Sequence, residues 1–223
     1  MIVSAIVATV AVGKLFLVGG GDAPDEIPKR FIKEIGGPNS LIVVIPQMRE
    51  EPKNGAPSVE WLTANGAQRV VLLGATNPTD DDRKAAEEIL KQARGIWMPG
   101  GDQELFMQRW GVPWIRKQFQ AALKRGVCFY GTSAGAMLMS ETMILGPGEE
   151  ENSTRWNPGA GLTQYTIDSH VRERDRLPRM KYTMEKAGLR QMIGLSEGEW
   201  VILQGDKIIE IHGNPVVIEK SKD

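Results

Sequence analysis

Residues Gly131-Thr132-Ser133-Ala134-Gly135-Ala136 hold a serine between two glycines where the apolar, β-prone run Val127-Cys128-Phe129-Tyr130 gives way to the helix formers Ala134, Ala136, Met137, Leu138 and Met139. A Gly-x-Ser-x-Gly pattern on a strand-to-helix turn lifts the serine hydroxyl above the end of a sheet. The small neighbours permit a backbone that a bulky side chain would obstruct. The N–H of Ala134 then stands at a helix N-terminus, where it can stabilise an oxyanion. The chemistry implied is nucleophilic attack by Ser133 on an acyl carbon. An ordinary glycine-rich turn fits the same five positions, so the pattern is a hypothesis that its context must support.

A serine nucleophile needs a base, and the chain has two histidines. His170 closes Asp168-Ser169-His170, at the junction of a β-like run with a charged helix. His212 stands in Glu210-Ile211-His212-Gly213, where strand alternation sets it opposite Ile209 and Ile211 on a solvated face. The base in turn needs a carboxylate to orient it, and Asp168 and Glu197 are the candidates. Two arrangements follow. One is Ser133–His170–Glu197; the other joins Ser133 and His212 through Asp168 or Glu197, in the chain order of α/β-hydrolases. Residue spacing leaves both open. Gly100-Gly101 offers a second oxyanion donor, because its backbone carries no Cβ to block approach, and Gln103 just beyond could touch substrate.

Apolar strand runs at 15–18, 41–45, 70–73, 96–98 and 127–130 alternate with helical patterns at 28–35, 59–65, 79–94, 104–110 and 114–124. This alternation predicts a doubly wound, mostly parallel α/β sheet covered on both faces. Glycines or a small polar turn follow three of the strands, at Gly19–Gly21, Gly100-Gly101 and Gly131, on the edge where such sheets build sites. The last third reads as a strand at 143–145, a loop rich in Gly, Pro and Glu at 146–161, a β-like run at 162–167, a charged helix at 171–187 and short strands at 200–203, 207–211 and 216–218.

The 223 residues suit one α/β domain over 1–223. A net charge of -1 gives no field to recruit nucleic acid or an anionic membrane. The single cysteine, Cys128, excludes an intrachain disulfide and a cysteine-based zinc cluster, and it reads as a small core residue. The apolar start, Met1 to Val12, is too short to span a bilayer and lacks a basic n-region, so it reads as a strand rather than a signal, with the cytoplasm as the default location. The acyl chemistry needs no metal or cofactor.

Three patches together resemble the cyanophycinase branch of the cyanophycinase/dipeptidase E family of serine peptidases. They are Pro99-Gly100-Gly101-Asp102-Gln103, the Ser133 hexapeptide, and Asp168-x-His170 followed by Arg174, Arg176 and Arg179; Ile193-Gly194-Leu195-Ser196-Glu197 is a weaker fourth. The resemblance implies a fold related to class I glutamine amidotransferases, with a nucleophile elbow at Ser133. It implies Ser133 as nucleophile, His170 as base, Glu197 as its orienter, and Gly101 and Ala134 as oxyanion donors. Gln103, Asp168, Arg174, Arg176 and Arg179 would line or support the substrate site, and His212 would be incidental. The implied substrate is cyanophycin, a poly-aspartate with arginine on each side-chain carboxylate, cut to β-aspartyl-arginine by a homodimeric enzyme. Where these enzymes usually carry glutamine after the aspartate, this chain has Ser169, and Pro178 would remove a hydrogen bond from the arginine helix. Glu149-Glu150-Glu151 reads as a solvated acidic loop, and Trp110, Trp114 and Trp156 as packing residues, with Trp156 able to stack on a substrate arginine. The other readings are a related peptidase for acidic or isoaspartyl peptides, an esterase using His212, and a non-catalytic module.

Overall fold

The computed structural model describes residues 12–22, 24–50 and 55–220. The chain begins with β1 (Lys14–Val18), α1 (Glu26–Glu34), β2 (Ile42–Val44), α2 (Ala56–Ala64), β3 (Val70–Leu72), α3 (Asp80–Gln92) and β4 (Gly95–Met98). Helices α4 (Gln103–Trp110) and α5 (Val112–Lys124) lead into β5 (Cys128–Thr132), and α6 (Ala134–Met137) follows Ser133 directly. Then come β6 (Thr142–Pro147), β7 (Thr154–Pro158), β8 (Thr166–Ser169), α7 (Leu177–Lys186), β9 (Gln191–Leu195), β10 (Trp200–Gln204), β11 (Lys207–His212) and β12 (Val216–Glu219).

Seven strands form the central sheet in the order β11-β10-β1-β5-β4-β2-β3. The pairs from β1 to β3 are parallel, while β10 and β11 extend the sheet antiparallel. Successive residues along each parallel strand feed two different cores. Leu15, Leu17, Val43, Ile96, Met98 and Phe129 pack on one face. Phe16, Val18, Ile42, Val44, Trp97 and Tyr130 pack on the other. The period of two, with both positions apolar, is why these strands read as unbroken hydrophobic runs. Trp110 and Trp114 are packing residues, stacked with ring centroids 4.7 Å apart.

Parallel register brings the ends of β1, β4 and β5 together, since Val18 pairs with Thr132 and Met98 with Gly131. A methyl on Gly131 would overlap the Gly135 carbonyl, and one on Gly135 would overlap that of Met98. Both glycines are therefore needed to fold β5 so sharply into α6.

Three expectations need correction. The charged segment 171–187 is helical only over Leu177–Lys186, after a turn in which His170 and Asp175 have positive φ. Pro178 lies in the first turn of α7, where no carbonyl of the helix awaits its missing N–H, so it costs no hydrogen bond. The loop at 146–161 contains a strand, β7, which pairs with β6 and sets Trp156 opposite Ile144. The strand expected over Met1 to Val12 lies, apart from Val12, outside the described residues.

Candidate active site

Ser133 sits between β5 and α6 with φ 53° and ψ -116°. Such a backbone costs a non-glycine residue about 1–3 kcal/mol and persists only where its surroundings impose it. Here the Ser133 N–H is tied to the Val18 carbonyl at 2.8 Å. The hydroxyl meets His170 Nε2 at 2.8 Å, and His170 Nδ1 meets Glu197 Oε1 at 2.7 Å. A carboxylate can only accept, so Nδ1 carries the proton and Nε2 is left to accept from the serine.

The histidine and the glutamate come from two turns in the last third of the chain. His170 follows β8 with φ 52°, and its N–H is held by the Gly19 carbonyl at 3.2 Å. Glu197 lies in the turn from β9 to β10, and the adjacent Gly198 N–H bonds the Gly20 carbonyl at 3.1 Å. A Cβ on Gly20 would fall 2.7 Å from His170 Nε2, and one on Gly21 would fall 2.8 Å from Glu197 Oε2. The glycines after β1 are thus the seat of the imidazole and its carboxylate. The sequence marked them as a turn, but this role depends on two segments that fold in from far along the chain.

Beside Ser133 opens a cleft of about 260 Å3 walled by Gln103, Arg155, Ser169, Arg174, Arg176 and Arg179. Gly101 also borders it, with φ 148°, and a methyl there would overlap the Met48 carbonyl. Gln103 is fixed by donating to the Ile144 carbonyl at 2.7 Å. Asp168 does not line the cleft; it is 0% exposed and supports the wall from beneath. It accepts from both Nε (2.7 Å) and Nη2 of Arg179, and from Arg176 Nη1 at 3.3 Å. Burial, followed by repulsion from Arg179, lowers the Arg176 pKa to about 10, partly offset by Asp168, so the guanidinium stays charged at neutral pH. Arg174 is exposed on the rim. Arg155 was missed in the sequence, because β7 was hidden in a stretch rich in Gly and Pro; the alternation of Thr154-Arg155-Trp156 is its only local sign. It pairs with Glu104 at 3.1 Å.

The family model for peptidase family S51 matches residues 15–211. The chain belongs to peptidase family S51. This makes it a serine-type peptidase, a hydrolase. It is 28% identical over 213 residues to a cyanophycinase of Geminocystis herdmanii (strain PCC 6308), covering 91% of this chain and 78% of that one. It is 25% identical over 195 residues to a cyanophycinase of Nostoc sp. (strain PCC 7120 / SAG 25.82 / UTEX 2576), covering 84% of this chain and 65% of the relative. In fold it resembles a crystal structure of a peptidase from an acI-B1 Actinobacterium, with a TM-score of 0.70 at 18% identity over 96% of this chain and 90% of the other. A putative peptidase E protein from Listeria monocytogenes EGD-e gives 0.61 at 16% identity, covering 95% and 100% of the two chains.

In this S51 peptidase the arrangement through His212 is not assembled. His212 ends β11, two strands from β1, with its ring stacked on Trp200 at 5.1 Å and its Nδ1 3.5 Å from Glu26. Glu149, Glu150 and Glu151 are exposed, and Trp156 is half-buried on β7 outside the Ser133 cleft. Among the described residues no helix is long and apolar enough to cross a membrane.

Arg172 lies outside the cleft and pairs with Glu199. That carboxylate is 4% exposed and also accepts from the N–H groups of Ser196 and Asn214, each at 2.8 Å. It braces the two turns that carry His170 and Glu197. Burial alone would raise its pKa, but the Ser196 N–H, Arg172 and the Asn214 N–H together hold it below the ordinary value of 4.5. A depressed carboxylate stabilises the fold above the unfolded-state pKa and loses that contribution as pH falls through the folded-state value. Glu199→Gln should therefore cost about 1.5–3 kcal/mol at neutral pH. Urea unfolding of wild type and variant is expected to converge as pH drops below 4.5. A gap that stays constant down to strong acid would contradict the role given to the charge.

Proposed function

We propose that this S51 peptidase cuts cyanophycin, releasing β-aspartyl-arginine through an acyl-enzyme on Ser133. The observation that carries the reading is the hydrogen-bonded series Ser133–His170–Glu197 opening into a cleft walled by arginines. His170 Nε2 takes the hydroxyl proton as Ser133 Oγ bonds to the amide carbon. The oxyanion forms against the N–H groups of Ala134 and Gly101, each worth roughly 3 kcal/mol by comparison with known donor losses. Collapse breaks the C–N bond, and His170 delivers its proton to the departing amine. Water, deprotonated by His170, then opens the ester and restores Ser133. Glu197 keeps the ring in the required tautomer and stabilises it when doubly protonated.

The positive φ of Ser133 on the β5–α6 turn supports a nucleophile elbow of the kind expected in a class I glutamine amidotransferase-like fold. Guanidinium forks suit the carboxylates of a poly-aspartate chain, and the curated relatives described above are cyanophycinases. The test is incubation with insoluble cyanophycin, followed by mass spectrometry of the soluble fraction. Wild type is expected to release β-aspartyl-arginine and Ser133→Ala none. Cleavage of isoaspartyl peptides with no release from the polymer would overturn the substrate assignment.

A further inference from the structure

A second cavity, of about 520 Å3, opens at the same edge of the sheet and is lined by Asp22, Asp25, Trp61, Trp97, Tyr130 and Thr132. It lies on the opposite face from the arginine cleft. Trp97 and Tyr130 belong to the core on one side of the sheet, while Ala134 and Leu145 of the cleft belong to the other. Thr132 immediately precedes Ser133, so the nucleophile stands between the two spaces. Gly21 also lines the second cavity, and its missing side chain would strike the Glu197 carboxylate. The cavity therefore begins where the Ser133–His170–Glu197 series ends.

Its chemistry is opposite to that of the cleft. Trp97 and Tyr130 stack with ring centroids 3.5 Å apart and planes 4° from parallel, and Trp61 meets Trp97 edge-on at 5.5 Å. Trp61 Nε1 donates to Asp25 Oδ1 at 3.3 Å, which holds a carboxylate beside the aromatic wall. Asp22 and Asp25 are exposed, and among the described residues neither is in an ion pair. No arginine or lysine is among the described lining residues. Trp97 and Tyr130 are buried against each other and form the floor, while the half-buried Trp61 is the ring open to the cavity. An indole next to unpaired carboxylates attracts a cation, and a planar guanidinium in particular, since it can stack and hydrogen-bond at once.

The geometry points to this cavity as the site for a guanidinium on the leaving-group side of the scissile bond. That placement rests on the acyl-enzyme reading of Ser133. His170 must protonate the departing amine, so the amine leaves on the histidine's side. The His170 ring stands against Gly20, from which the chain runs directly to Gly21 and Asp22 at the cavity. The arginines of the cleft suit the carboxylates of the acyl part, and the acidic cavity is left to receive the guanidinium of the leaving residue.

Two substrates with the same β-aspartyl-arginine acyl part, one with arginine and one with neutral citrulline on the leaving residue, test this. Wild type is expected to favour the arginine form by about 10-fold or more in kcat/KM. The double variant Asp22→Asn, Asp25→Asn should bring that ratio to about 1. Equal rates in wild type would overturn the inference. Asp25 precedes α1 without capping it through its side chain, so its loss leaves the helix start intact. A binding measurement needs no turnover: L-argininamide titrated into Ser133→Ala protein should change tryptophan fluorescence saturably. The change should be absent with L-citrulline amide and lost on adding the two Asp→Asn substitutions. A flat titration, or one that survives both substitutions, would overturn the cation site whatever the polymer assay shows. A positive titration beside an inert polymer would retain the site and remove cyanophycin.

Discussion

His170→Ala is expected to lower kcat/KM by on the order of 10^4-fold to 10^6-fold, while His212→Ala leaves it unchanged. The size follows from the geometry. Without the imidazole, Ser133 Oγ has no acceptor for its proton, and the departing amine has no donor. Both losses fall on the transition state, so kcat should drop with little change in KM. His212 is two strands from β1 and stacked on Trp200, too remote to substitute. The two variants separate the arrangements that the sequence left open. Steady-state release of dipeptide measures both, and an active His170→Ala beside an inert His212→Ala would reverse the assignment.

Asp168→Asn should be the most destabilising single change near the site, costing about 3–5 kcal/mol in urea unfolding at neutral pH. Asp168 is 0% exposed and holds both Arg176 and Arg179. The amide would leave two guanidiniums facing each other with no counter-charge, one of them already disfavoured by burial and by its neighbour. KM should rise as well, since both arginines wall the cleft. Replacing the whole group by Asp168→Leu, Arg176→Met and Arg179→Met is expected to recover much of the stability, because no unpaired charge is then left buried, but not the activity. A single Asp168→Asn variant that unfolds like wild type would show that the ion pairs do not hold the wall.

The parallel core was legible because its strands are covered on both faces, so Leu15 to Val18 and Ile96 to Met98 are apolar at every position. The position of Ser133 was legible for a local reason: the steric demand for Gly131 and Gly135 is met within one turn. Residue spacing left the partner of Ser133 open, and only the resemblance carried by Asp168-x-His170 pointed to His170, since the contact depends on how β8 and the β9–β10 turn fold back over Gly19–Gly21. The helix expected over 171–187 gives way to a turn at its start; positive φ at His170 and Asp175 breaks the repeat, with Arg172 on Glu199 and Arg176 and Arg179 on Asp168. Arg155 was hidden because β7 lies in a stretch whose composition suggests a loop, and only its pairing with β6 makes it a strand.

The most direct test of the central claim is covalent trapping of the nucleophile. Wild-type protein would be treated with a fluorophosphonate and the modified peptide mapped by mass spectrometry, beside His170→Ala and His212→Ala. A single adduct on Ser133, formed at least about 100-fold more slowly in His170→Ala and at an unchanged rate in His212→Ala, is the predicted result. An adduct on another residue, or Ser133 labelling indifferent to His170, would contradict it.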